Sequence, residues 1–525
     1  MAVPARADTG DLSAYLRGRA AEAAGRPAVA LDAYATALAA SPANPVIAAP
    51  AYRAALNHGD IALARRAAGV LQAAGVAPAD VALLAIADAA HAGDPRMARL
   101  AVQRLQAGPL MALTPAIEGW IALTEGRASP APAGPVSDDA VARRFTAEAR
   151  VQLLIASGQV DAGLAGLDAL GGARAPLDLR IAVARLLAGQ GRGEQAAALL
   201  PGDAPMLAAL RKAPGVRPSM AFGISRIFTR VAADLATGET GTMAIALGRI
   251  ALVADPANDR ARLILADALS RSGATDDALS VLAAIDRSGP YAGAVAAARV
   301  AVLALAGRSD PVLAETALVE ARALADRADA GPDDWQRYAD LLTAAARPAE
   351  AATWYARVTK APDTADDWAA WLQYGGALDE AGQWLRAEPA LVRAVALAPA
   401  EPLALNYLGY ARIVRGEDMA ASARMLERAR ALKPDDPSII DSLGWAYHLT
   451  GDSARALPLL ERAAAAAPTN AEIAEHLGDA YWTLGRRYDA RYAWRAAAVV
   501  ADATTDARLA GKIAGGLATA KERSR

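Results

Sequence analysis

Residues 437–468 read PSIIDSLGWAYHLTGDSARALPLLERAAAAAP, and their spacing governs the rest of the chain. The pattern is Leu443-Gly444, Tyr447, Gly451, Ala456, Leu460, Ala463 and Pro468. With 34 added to each number (478 − 444 = 34), it returns as Leu477-Gly478, Tyr481, Gly485, Ala490, Trp494 and Ala497. With 69 subtracted (444 − 375 = 69), it stands as Tyr374-Gly375, Leu378, Gly382, Ala387, Leu391, Ala394 and Pro399. Each copy reads as two antiparallel helices. Gly444 and Ala456 are small where those helices press together, and Leu443, Tyr447 and Leu460 fill the surrounding space. Gly451 supplies the left-handed turn, and Pro468 stops the second helix.

Other copies extend the register. Gly18, Gly25, Ala30, Tyr34, Ala37 and Pro42 begin it, followed by Tyr52, Gly59 and Ala64, and by Gly93 and Ala98. Leu265-Ala266, Leu269, Gly273, Ala278 and Leu282 continue it, as do Trp335, Tyr338, Ala339, Leu342, Ala351 and Tyr355. The copy at Leu408-Gly409, Gly416 and Ala429 is one residue longer, and the extra residue is expected in the turn after Gly416. A helix-turn-helix period of 34 with this pattern resembles the tetratricopeptide repeat (TPR). The expected fold is all-α, a right-handed superhelical solenoid in which each unit buries its apolar face only by stacking on its neighbours.

The expected organisation is a disordered start at 1–10, an N-terminal array at 11–125 and a Pro/Gly linker at 126–139. Degenerate helical repeats at 140–330, a regular array at 331–500 and a capping helix with a basic tail at 501–525 follow. The amphipathic stretch Phe222 to Ala236, with Ile224, Ile227, Phe228, Val231 and Leu235 on one face, reads as a core helix at an irregular junction.

Composition narrows the function. Lys plus Arg total 55 against 57 Asp plus Glu, with no internal basic run, so a phosphate-neutralising nucleic-acid surface is not expected. No cysteine is present, which excludes disulfides, thiolate metal sites and cysteine nucleophiles in this sequence. No apolar run is long enough to span a bilayer. Ala5-Arg6-Ala7 fits the small-x-small pattern of a signal-peptidase site; the expectation is a secretory-signal remnant, the alternative an Ala-rich start of a cytoplasmic protein.

Catalytic constellations find no support. There is no phosphate-binding glycine loop, no Gly-x-Ser-x-Gly and no His-Glu-x-x-His. Glu472, Glu475, His476 and Asp479 share one helical face, which reads as a solvated or partner-facing surface rather than a metal site. No cofactor, metal or small-molecule substrate is expected. The expected binding surface is the concave groove lined by first helices: Asn406, Tyr410, Asp441, Trp445, His448, Glu475, Asp479 and Trp482. Aromatic rings give contact area at low entropic cost. Three carboxylates there are expected to repel an acidic tail and favour a basic or apolar protein partner.

Asn406-Tyr407-Leu408-Gly409-Tyr410, Ile440 to Tyr447 and Glu475 to Trp482 carry a narrower resemblance. They are similar to Gram-negative envelope TPR proteins, including outer-membrane lipoproteins that bind a carboxyl-terminal processing protease. The resemblance implies a non-catalytic scaffold or adaptor, periplasmic or outer-membrane associated, holding such a protease or another envelope protein. An assembly factor for outer-membrane or surface-polymer machinery, or a cytoplasmic interaction module, are the other readings.

Overall fold

A computed structural model describes residues 9–105, 109–127, 140–202, 204–236 and 241–517. Among these every regular element is a helix, α or 3-10. Residues 1–8 of the expected disordered start, most of the expected linker, 128–139, and the basic tail, 518–525, lie outside the described residues, while residues 9 and 10 belong to the first helix. The chain divides into two compact units, one ending at Glu320 and the other beginning at Ala321.

The second unit has the regular architecture. Hairpins pair Pro332–Ala344 with Pro348–Val358, Trp368–Glu380 with Trp384–Leu397, and Pro402–Val414 with Met419–Leu432. Pro437–Leu449 with Ser453–Ala466, and Ala471–Thr483 with Arg487–Val500, complete the series before a final helix, Ala503–Gly515. These are tetratricopeptide-type hairpins. Each starts at a side-chain cap or a proline: Asp367, Glu401, Asp436 and Asn470 accept from the exposed N–H groups of the first turn.

The reason for the glycine in each first helix is visible in what a β-carbon would meet. At Gly444 it would lie 2.9 Å from the Leu460 side chain, and at Gly478 only 2.3 Å from the Trp494 indole. Successive hairpins dock through a second repeated contact. The Tyr447 hydroxyl donates to Glu427 at 2.7 Å, and one repeat later Tyr481 donates to Glu461 at 2.7 Å. Arg455 and Arg486 cover the same two rings.

The turns follow the expected glycines. Gly382, Gly451 and Gly485 have φ of 71°, 91° and 80°. The turn at Gly416 (φ 72°) holds the additional residue, and Asp418 adopts φ 39° to cap the next helix. Glu417 in this longer turn accepts from the Trp384 indole at 2.9 Å. In the hairpin at Pro332–Val358, Ala346 takes the left-handed position at φ 55° with no glycine to ease it.

The first unit starts with three hairpins: Thr9–Ala23 with Pro27–Ala40, Pro45–His58 with Ile61–Ala73, and Ala79–Ala92 with Pro95–Val102. It then departs from simple serial stacking. The helices Met220–Leu235 and Gly241–Ala254 return to pack on Ala79–Ala92, the latter also on Pro45–His58. Met220–Leu235 also packs on the helix Thr114–Thr124, and Gly223 makes that contact fit, since a β-carbon there would fall 2.0 Å from the indole of the fully buried Trp120. Met220–Leu235 is therefore a core helix. Phe222, Ile224, Ile227, Phe228 and Val231 are buried, as are Ser225 and Thr229, whose hydroxyls accept from Asn258 at 2.9 Å each.

Two substitutions check this account. A left-handed alanine is strained by about 1 kcal/mol, so Ala346→Gly should raise the stability of the second unit by roughly that amount in urea denaturation. Gly478→Ala should lower it by about 2 kcal/mol more than Gly444→Ala, because the Trp494 indole stands closer than Leu460 and is held by its hydrogen bond to Asp479; equal losses in the same assay would contradict the packing described.

Candidate functional site

The first helices of the last three hairpins and the final helix enclose a groove of about 650 Å³. Tyr410, Trp445, Glu475 and Asp479 line it, together with Glu472, His476, Arg508 and Lys512. These positions face the same way because equivalent places recur one repeat apart on successive first helices. Tyr410, Trp445 and Asp479 occupy one register, and Asn406, Asp441 and Glu475 another.

The centre is a stack of rings. Trp445 lies parallel to His476 at 3.9 Å and 12°, and to His448 at 4.8 Å and 15°. Both histidines are fixed from behind. His476 Nδ1 is 2.9 Å from Asp441, and His448 Nδ1 is 3.0 Å from the Ser453 hydroxyl. Burial holds His448 below its ordinary value, with the nearby Asp479 carboxylate opposing and the His476 and Lys512 charges adding to the shift. It therefore stays neutral at pH 7. Tyr410 tilts toward His476 and donates to Glu472 at 2.6 Å. Its hydroxyl is pushed far above the usual tyrosine value, first by burial and then by that carboxylate.

Asp441, Glu475 and Asp479 are not the free groove charges expected from register. Each is buried, at 5–6% exposure. Glu475 accepts from Arg508 and Lys512 at 2.7 Å each. Asp479 accepts from Lys512 at 2.6 Å and from the Trp494 indole at 2.9 Å. Burial alone would raise the Glu475 carboxyl; the hydrogen bonds from Lys512 and Arg508 outweigh it and hold the group below the ordinary carboxylate value. The final helix thus supplies the basic partners, and the expected repulsion of an acidic tail loses its basis. The exposed charges at the rim are Glu472, Asp502 and Arg508, the side chains of Glu472 and Arg508 being 63% and 60% exposed.

Two expected groove residues stand elsewhere. Trp482 packs on Trp494 at 5.3 Å, beneath Arg487 and against the backbone at Gly516, so it seats the final helix. Asn406 is half-buried, does not line the groove, and its Oδ1 is buried without a hydrogen-bond partner. His448 and Asp441 stand behind the lining and position it. The contributions of Arg508 and Lys512 escaped the repeat register because the helix carrying them has no repeat pattern; the signal for His476 was its place beside Glu475 on the shared helical face. Among the described residues no cluster of His, Asp or Glu is arranged to hold a metal ion, and no helix is long and apolar enough to cross a membrane.

No protein-family model and no curated protein matches the chain. Solved structures match it in part. A tetratricopeptide repeat protein from Parabacteroides merdae is 14% identical with a TM-score of 0.41, over 48% of this chain and 97% of that one. TTC0263, a thermophilic TPR protein from Thermus thermophilus, is 22% identical with a TM-score of 0.32, over 35% and 100%. MamA from Desulfovibrio magneticus is 18% identical with a TM-score of 0.28, over 32% and 94%. Each likeness spans a third to a half of this chain, and the repeat architecture stands on the hairpins themselves.

Lys512 is the more buried of the two cations the final helix brings to the groove. Its side chain is 17% exposed and bridges two carboxylates of 7% and 8%. Lys512→Met removes the shared cation and leaves Glu475 to Arg508 and Asp479 to the Trp494 indole, so it should destabilise the second unit by about 2 kcal/mol in chemical denaturation, whereas truncating the exposed Arg322–Asp326 pair should leave the unfolding midpoint nearly unchanged.

Proposed function

We propose that this chain is a non-catalytic protein-interaction scaffold whose second unit holds a segment of a partner protein in the groove at Tyr410, Trp445 and Arg508. The observation that carries this is the clamped ring stack. Trp445 is held flat between two histidines that are themselves tethered, and it borders an open groove with Glu472, Asp502 and Arg508 at its rim. A rigid aromatic platform inside a polar rim is the arrangement that concentrates binding energy at protein interfaces. Little side-chain entropy remains to be lost there when a partner docks.

The partner we favour is a carboxyl-terminal processing protease or another envelope protein, with the chain on the periplasmic side as an adaptor. Its support is the resemblance of residues 400–500 to envelope repeat proteins. An assembly factor for outer-membrane or surface-polymer machinery uses the same groove chemistry with a different occupant.

The test is affinity capture from an envelope extract with the full chain as bait. Recovery of the peptidase by the native chain, and its loss by more than about tenfold with Trp445→Ala at unchanged helicity, is the expected result. Recovery of assembly components instead would select the second reading. Undiminished capture by the Trp445 variant would remove the groove from the interface.

A further inference from the structure

The first unit contains a second concave site of different chemistry. A cavity of about 210 Å³ lies among the helices Ala140–Ala156, Leu177–Gly189, Met220–Leu235 and Asp259–Arg271. Arg185, Arg226, Arg230 and Arg260 line it, against the carboxylates of Glu148, Asp178 and Asp259.

The carboxylates are already engaged. Asp178 accepts from Arg260 at 2.6 Å and Asp259 from Arg262 at 2.8 Å. Glu148 is 3.3 Å from Arg230 and 3.9 Å from Arg144. The remaining arginines are poorly matched. Arg226 Nη1 is buried with no hydrogen bond, and its closest carboxylate, Asp255, stands 3.6 Å away, within ion-pair range but beyond hydrogen-bond length. Arg185 Nε is buried with no hydrogen bond at all. Gln152 is 7% exposed, and its Oε1 is a buried acceptor with no donor. Burial depresses Arg226, and the Arg185 charge pushes in the same direction against the pull of Asp255.

Buried guanidinium N–H groups and amide oxygens without hydrogen bonds are unfavourable by about 1–3 kcal/mol each, a cost that a ligand completing them would recover. Guanidinium donors match the oxygens of a carboxylate or phosphate. The orphan acceptor on Gln152 calls for a hydrogen-bond donor on the same molecule. The volume is below the roughly 300–1,000 Å³ of sites for drug-sized ligands. We propose that this cavity binds a small oxyanion bearing a hydrogen-bond donor, with Arg185 and Arg226 holding the anionic oxygens and Gln152 accepting from the donor.

Isothermal titration of the full chain with inorganic phosphate, citrate and tricarballylate, which is citrate without its hydroxyl, tests this. Binding of phosphate or citrate with a dissociation constant below about 1 mM is expected. Phosphate alone marks a phosphate site; citrate, bound more tightly than tricarballylate, marks a hydroxy-acid site. Arg185→Gln should weaken binding at least about tenfold while the chain keeps its native helicity. Should that variant lose helicity, Arg185→Lys, which keeps the charge but not the planar fork, should show the same direction of loss. Gln152→Leu should bring citrate down to the level of tricarballylate. No heat from either anion, or native affinity in the Arg185 variants, overturns the site; citrate and tricarballylate binding alike overturns the role of Gln152. The cavity lies in the first unit and the ring-lined groove in the second, so each test can fail without the other.

Discussion

The two helices of a hairpin approach most closely where one of them carries no side chain, and this constraint organises most of the second unit. Gly375, Gly409, Gly444 and Gly478 are the places where it is met, against Leu391, Leu426, Leu460 and Trp494. The close approach sets the geometry inside each hairpin. The geometry between hairpins is set by tyrosine hydroxyls reaching the preceding second helix, as at Tyr447 with Glu427. Both contacts recur at the same spacing, so one solution to packing is used repeatedly. Stability is then the sum of intrinsic hairpin terms and neighbour terms.

A series of this kind has to end, and its last member faces solvent on a side shaped for contact. Here the side-chain pairing between neighbouring first helices continues one step beyond the repeats. Asp441 meets His476 on the next first helix, and Glu475 meets Lys512 on the helix after that. The final helix thus occupies the place of another first helix and satisfies what would otherwise be buried, unpaired acids. The same arrangement shapes the groove, because Arg508 on that helix contributes a rim charge.

Spacing made the hairpins legible. The glycines at 382, 451 and 485 sit in left-handed turns, and the one-residue excess after Gly416 is resolved as an extended turn. Register also identified Tyr410 and Trp445 as neighbours. It could not say which face residues were consumed internally. Asp441, Glu475 and Asp479 look alike in sequence whether they meet solvent or a distant basic side chain such as Lys512. Trp482 has the register of His448 but lies where the final helix lands, a segment with no repeat pattern to place it. In the first unit the return of Met220–Ala254 onto the early hairpins depends on contacts between distant segments, which a period of 34 does not encode. Ala346 hid its strained turn because alanine carries no signal for a left-handed backbone.

That return has a consequence for the order in which the molecule can be made. Gly223 lies far downstream of Trp120 (223 − 120 = 103), and until it has been synthesised the indole has no cover on that side. Early hairpins emerging from a ribosome therefore present apolar surface for the time needed to add the intervening segment, several seconds or more at about 5–20 residues per second. The second unit has no such delay, since each of its hairpins meets its neighbour within a single repeat period. The amino-terminal half is thus the part of this chain that would lean on a chaperone during translation, and the carboxyl-terminal half can close as quickly as it is delivered.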